Sequence, residues 1–248
     1  MTRDLPISTI GDINTLLELW ERGLEQSAAM RGNVVLEAAD GRAAPARTLG
    51  ERNVRLLELH ARLFGQHVDL LSHCPFCGTP AQFSSECDVL TALMPRGDAE
   101  ALHRVETEGH VIDFRLPDIA ALAEAPHEET ADDFVRRLLD RCVVACARNG
   151  ESVGIHEAPD AVLDAVSRRM EALDPAARVS FALDCPQCDA RWDAQLDVGQ
   201  LVWTKLQAAA ERLLLDVDTL ARAYGWTERD VLALSPLRRA AYVQIVNG

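Results

Sequence analysis

Two Cys-Pro-x-Cys turns constrain this chain more than any other feature: Cys74-Pro75-Phe76-Cys77 and, far downstream, Cys185-Pro186-Gln187-Cys188. Val68 to His73 reads as a short extended segment, and Ala81 to Cys87 leaves the turn with Ala81, Phe83 and Ser85 on one side. Val179, Phe181 and Leu183 alternate into the second turn, and Trp192, Ala194 and Leu196 alternate out of it. Period-two alternation on both sides of a tight turn is the pattern of a β-hairpin. The segments Val68–Val89 and Val179–Val198 therefore form an internal repeat. Each closes on an Asp-Val step, Asp88-Val89 and Asp197-Val198, with one or two residues of slippage on the outgoing strand.

Zinc favours four tetrahedral ligands in a structural site, and a Cys-x-x-Cys hairpin tip presents two sulfurs on one side. Two such tips supply four ligands, so the spacing predicts that Cys74, Cys77, Cys185 and Cys188 hold one structural Zn2+ and fold two distant hairpins into a ribbon. Three other readings stay open. One pair can act as a redox dithiol, although that motif precedes a helix and here a strand follows. Two ions can bind separately with help from His73 or Cys87, or the thiols can be ordinary reduced cysteines. The chain holds seven cysteines, an odd number that excludes a fully paired disulfide framework. Cys142 and Cys146, four apart, read as a packed helix face, and Cys87 as the buried end of a strand.

The rest reads mainly as helix. Asp12 is a cap for an amphipathic helix carrying Ile13, Leu16, Leu17, Trp20 and Leu24, which Gly32-Asn33 ends or kinks. Thr48 with Glu51 forms a capping box before Leu56, Leu57, Leu59, Leu63 and Phe64, stopped by Gly65. Asp88 to Leu93 reads as a helical turn, and His103–Glu108 with Val111–Leu116 as a further hairpin. Residues Ile119 to Ala172 read as helical, with Asp118 and Thr130 as caps, Cys142 and Cys146 on one helix ended by Asn149-Gly150, and Pro159 opening the next. Leu201–Tyr224, a short helix capped at Thr227-Glu228-Arg229-Asp230, and a helix opened by Ser235-Pro236 and carrying Leu237, Tyr242, Ile245 and Val246 complete the chain. The expected fold class is α+β, mainly α. Its expected segments are a helical hairpin over 1–66, a ribbon hairpin over 67–97, a β-hairpin plus helical insertion over 98–176, the second ribbon hairpin over 177–200, and a three-helix module over 201–248.

Function is narrowed by what the sequence carries. Its 39 acidic against 25 basic residues give a net charge of −14. That balance disfavours a nucleic-acid partner, because affinity for phosphate backbones comes from Lys and Arg. No stretch is apolar enough for a membrane span or a signal peptide, so the expectation is a soluble protein of the cytoplasm. The phosphate-loop, dinucleotide, nucleophile-elbow and His-Glu-x-x-His patterns are missing, and acid runs such as Glu128-Glu129, Asp132-Asp133 and Asp216 with Asp218 read as solvated faces, so no enzyme is expected.

The ending Tyr224-Gly225-Trp226 followed by Thr227-Glu228-Arg229-Asp230-Val231-Leu232-Ala233-Leu234, together with Leu49-Gly50-Glu51-Arg52-Asn53-x-Arg55-Leu56-Leu57 and Leu63-Phe64-Gly65, resembles the T4-like baseplate hub assembly family. That family serves contractile phage tails and phage-derived contractile injection systems. The resemblance spans most of the chain from about Leu16 and is sharp at the Gly-Glu-Arg-Asn helix, the cysteine tips and the Tyr-Gly-Trp end. It implies a non-enzymatic baseplate component or assembly chaperone whose partners are other baseplate or tail hub proteins, in the cytoplasm of the producing bacterium or in the assembled tail. The zinc site rests on the spacing rather than on that kinship. Tyr224, Trp226, Arg238 and Arg239 are the candidate partner-binding residues, since aromatic and arginine side chains are enriched in binding hot spots. The alternative is a zinc-ribbon DNA-binding or regulatory protein that uses the C-terminal segment as a helix-turn-helix.

Overall fold

The structure, a computed structural model, describes residues 13–40, 48–92, 97–120 and 131–248. In chain order the elements are α1 (Ile13–Leu24), α2 (Ala28–Asp40), α3 (Leu49–Phe64), β1 (His67–His73), β2 (Pro80–Glu86), α4 (Cys87–Ala92), β3 (His103–Thr107) and β4 (His110–Phe114). They continue with α5 (Ala131–Cys142), β5 (Val143–Arg148), β6 (Glu151–Ser152), α6 (Asp160–Leu173), β7 (Val179–Asp184), β8 (Arg191–Leu196), α7 (Val198–Tyr224), α8 (Glu228–Leu232) and α9 (Pro236–Asn247). The fold is α+β and mainly α. Two compact units divide it, one made of 1–44 and 199–248, the other of 45–198.

In the first unit, the stripe Val202, Trp203, Leu206, Ala210, Leu213 and Leu220 of α7 is buried, as are Leu19 of α1 and Val34, Val35 and Leu36 of α2. Among the described residues, 13–64 hold three helices rather than the expected helical hairpin, because the first ends at Leu24 and Gly32-Asn33, expected to end it, lies inside α2. Gly32 is there for contact. A Cβ on it would stand 2.7 Å from the Cα of Gly199, so the two glycines let α2 and α7 meet backbone to backbone. The Arg31 guanidinium lies 5.6 Å from the centre of the buried Trp203 ring. After Gly225, α8 starts on a capping box in which Thr227 and Asp230 exchange hydrogen bonds, and α9 starts at Ser235 with Pro236 in its first turn. None of the α9 side chains is buried.

The second unit is built on a four-stranded antiparallel sheet in the order β3-β4-β5-β6. Ile112, Phe114, Leu139, Cys142, Cys146, Val162, Val166 and Met170 form its core with α5 and α6. Here the all-helical reading of 119–172 needs correction. The helix stops at Cys142, Val143–Arg148 pairs with β4, and Cys142 and Cys146 therefore sit on different elements. Consecutive valines at 143 and 144 favour a strand, and Asn149-Gly150, with φ of 51° and 88°, is a hairpin turn rather than a helix stop. Glu108-Gly109 makes the same kind of turn between β3 and β4, as expected. The expected caps Asp12 and Thr130 and the segment 121–130 lie outside the described residues, as do Glu128 and Glu129.

Thr48 caps α3 as expected, its hydroxyl accepting from the Glu51 N–H at 3.0 Å, and Gly65 ends the helix with a φ of 96°. Only Gln66 separates Gly65 from β1, so the first cysteine hairpin grows directly from α3.

Candidate metal centre

Both cysteine hairpins form as the alternation predicts, β1 with β2 and β7 with β8, and their registers are equivalent position for position. Val68 pairs with Ser85 as Val179 pairs with Leu196, and His73 with Pro80 as Asp184 with Arg191. The two tips close with the same bonds. The Cys74 N–H donates to the Thr79 carbonyl and the Gly78 N–H to the Cys74 carbonyl, both at 2.9 Å. In the second tip the Cys185 N–H donates to the Ala190 carbonyl at 2.9 Å and the Asp189 N–H to the Cys185 carbonyl at 3.0 Å. Gly78 and Asp189 occupy the same left-handed position, φ 76° and 56°.

This equivalence corrects the expected slippage. The helices after the hairpins start at Cys87 and Val198, which are matching positions, so Asp88-Val89 is not the counterpart of Asp197-Val198. Cys87, expected at the end of a strand, is the buried first residue of α4.

All four sulfurs come together, every one within 4.8 Å of the others. Cys74 Sγ lies 3.7 Å from Cys188 Sγ, and Cys77 Sγ lies 3.5 Å from Cys185 Sγ. A tetrahedron with zinc–sulfur bonds of about 2.3 Å has edges of about 3.8 Å, so these separations suit one tetrahedral thiolate site. The first cysteine of each tip is buried and the second exposed, and each buried sulfur faces the exposed one of the opposite tip.

The electrostatics of the donor set suit a cation. Hydrogen bonding with the Thr79 hydroxyl and backbone draws the Cys77 thiol down to about 6. At Cys188 the Ala190 amide also favours the thiolate, but the neighbouring sulfurs of Cys77, Cys185 and Cys74 outweigh it and push the thiol up to about 12. Four sulfurs this close cannot all ionise unless a positive charge sits among them, and thiolate is the form that binds metal.

All seven cysteines are free thiols. Cys87 stands apart from the cluster, its Sγ 3.5 Å from the Nδ1 of the buried His60, and His73 is exposed on β1. A strand follows each tip, which is not the strand-to-helix setting of a redox dithiol.

Phe83 of β2 and Phe181 of β7 bring the hairpins together, their ring centres 4.9 Å apart. A polar group at the foot of the hairpins went unread in the sequence. The Gly50 N–H donates to Asp174 Oδ2 at 2.8 Å, and Asn53 Nδ2 donates to the carbonyls of Ala176 at 2.9 Å and Ala177 at 3.3 Å. Its signal was the polar run Glu51-Arg52-Asn53 in a helix otherwise striped with leucine; its partners are remote in sequence.

Neither a family model, nor a curated protein, nor a solved structure matches this chain.

The candidate partner-binding residues divide in two. Tyr224, Trp226 and Tyr242 pack as an aromatic cluster, with Tyr224 and Trp226 stacked at 4.8 Å and Trp226 edge-on to Tyr242 at 5.0 Å. Arg239 is tied to Asp216 by an ion pair of 3.1 Å and is largely covered. Tyr224 and Arg238 reach solvent, and so do Leu237 and Ile245 of α9, at 83% and 68% exposure. Among the described residues, no helix is long and apolar enough to cross a membrane.

Proposed function

We propose that this chain is a non-enzymatic structural protein of a contractile tail baseplate, a component or assembly chaperone that works by protein contact and carries one structural Zn2+ on Cys74, Cys77, Cys185 and Cys188. The observation that carries the structural-zinc part of this reading is the four-cysteine cluster: four sulfurs would complete a tetrahedral ion, leaving no ligand position for water or substrate. Such a site contributes folding energy instead of chemistry. The baseplate assignment rests on the resemblance, and the places of its motifs are in keeping with it. Gly50-Glu51-Arg52-Asn53 holds backbone carbonyls and an aspartate, and Tyr224-Gly225-Trp226 turns a helix corner; both do architectural work.

The contact face we assign is the C-terminal module, where Tyr224, Leu237, Arg238 and Ile245 reach solvent. The DNA-binding alternative needs a free basic strip there, whereas Arg222 pairs with Asp218 at 2.7 Å and Arg239 with Asp216. Native mass spectrometry of protein purified without chelator tests the metal: one zinc per chain is expected, and its absence overturns the centre. Affinity purification of the tagged chain from the producing bacterium tests the role. Retention of sheath, tube or hub proteins is expected, and salt-dependent retention of duplex DNA in their place overturns the baseplate reading.

A further inference from the structure

The four ligands come from two hairpins distant in sequence, so something has to bring the hairpins together. Metal alone can do it, as in small zinc domains that are unfolded without their ion. This chain has a second device at the other end of the hairpins. Helix α3 leads through Gly65 and Gln66 straight into β1, and the same helix grips the incoming end of the second hairpin. On the incoming side, Asp174 accepts from the Gly50 N–H and Asn53 donates to the carbonyls of Ala176 and Ala177, just before β7 begins at Val179. On the outgoing side, Asp197 lies between β8 and α7, and its charge offsets the burial of Arg52.

The group lies on one helix and the segment that enters β7. Arg52, Asn53 and Asp174 are all buried, at 5%, 7% and 2% exposure. Arg52 Nη1 donates to Asn53 Oδ1 at 3.1 Å, which turns the Asn53 amide so that its Nδ2 meets the two carbonyls. A Cβ at position 50 would collide with the Asp174 carboxylate, so glycine there admits the aspartate. Buried polar groups joined in this way specify one arrangement of the segments that carry them.

We infer that Arg52, Asn53 and Asp174 are positioning residues for the metal centre: they hold the feet of the two cysteine hairpins in register, so the four sulfurs are preorganised before metal arrives. This rests on the metal-site reading proposed above. It predicts that groups touching no ligand set the affinity of the site, as outer-shell partners do in metal proteins.

The test is a zinc competition titration against a chromophoric chelator, on the full chain and on Asn53→Ala, Asp174→Ala and Asp174→Asn. Asn53→Ala and Asp174→Ala are expected to bind zinc about tenfold to a hundredfold more weakly. Asp174→Asn, which keeps an acceptor for the Gly50 N–H, is expected to stay near the parent. Val162→Ala, in the core under α6, serves as a control for lost stability without lost positioning. It is expected to lower the melting temperature and leave zinc affinity unchanged. Amide exchange on chelator-treated protein supplies a reading without metal: Val179 and Leu196 stay protected in the parent and exchange fast in Asn53→Ala. Parent-like zinc affinity in Asn53→Ala and Asp174→Ala, an equal loss in Val162→Ala, or loss of protection at Val179 and Leu196 in the chelated parent each overturns the inference. A parent chain that takes up no zinc overturns the metal centre itself, and the inference with it.

Discussion

At the scale of single residues, the two cysteine tips form an internal experiment, since one backbone is built from two sequences. Gly78 and Asp189 share a left-handed φ that costs an ordinary L-residue about 1–2 kcal/mol and glycine almost nothing. Gly78→Ala is expected to destabilise the protein by about 1 kcal/mol, while Asp189→Gly is neutral or mildly stabilising; denaturant melts of the two variants against the parent decide it. Cys142 provides a pH prediction. Burial first, and the Asp118 charge second, raise its thiol from 9.0 to about 11 against the lowering influence of Arg141. Between those values the folded chain binds the proton more tightly than the unfolded one. The stability from this group is complete below pH 9.0 and drains away as pH rises to about 11. In Cys142→Ala the alkaline slope of stability in that window is expected to be shallower.

At the scale of elements, legibility follows whether a segment's partners are local. Helix α3 was readable from end to end because Thr48, Glu51 and Gly65 act within their own turns. Both cysteine hairpins were readable because alternation and turn agree. The segment 143–148 was misread because apolar spacing alone does not separate a short buried strand from a helix, and what decides is pairing with β4. Asn149-Gly150 held the correct signal, being a stronger mark of a hairpin than of a helix end. Gly32 was misread for a related reason: it looks like a helix breaker until Gly199 is placed against it. Gly32→Ala is therefore expected to cost about 1–3 kcal/mol, since the atom it strikes is backbone and cannot swing away. Thermal melts against an exposed control on α7 such as Lys205→Ala check this.

For the molecule as a whole, the proposed metal centre and the polar group beneath it would divide the work of holding the cysteine hairpins. Chelation is expected to lower the melting temperature and to speed amide exchange at Gly78 and Asp189 in the tips, while Ile112, Val162 and Val166 of the sheet core remain protected. Cys185→Ser should lower metal content and melting temperature together; a variant with full zinc and an unchanged melt would count against a structural ion. The exposed apolar residues of α9 belong to this scale as well. Leu237 and Ile245 face solvent on a helix held by Arg239 and Tyr242, so Leu237→Glu is expected to leave the melting temperature within about 1–2 °C, an exposed site contributing little to stability. Under the proposed baseplate role, with α9 as the contact face, the same variant loses retention of tail proteins.

Fold class, the two hairpins, the identity of the four candidate ligands and the caps at Thr48, Thr227 and Ser235 are legible locally, because each is written in residues that act on neighbours a few positions away. Tertiary structure decided the rest: that all four sulfurs form one cluster, that β5 joins β4, that α2 and α7 meet at paired glycines, and that Asn53 and Asp174 find partners across the chain. The physical reason is common to these. Each is a contact between segments remote in sequence, chosen by burial and hydrogen-bond satisfaction in three dimensions, and no local spacing records which remote carbonyl or sulfur will complete it.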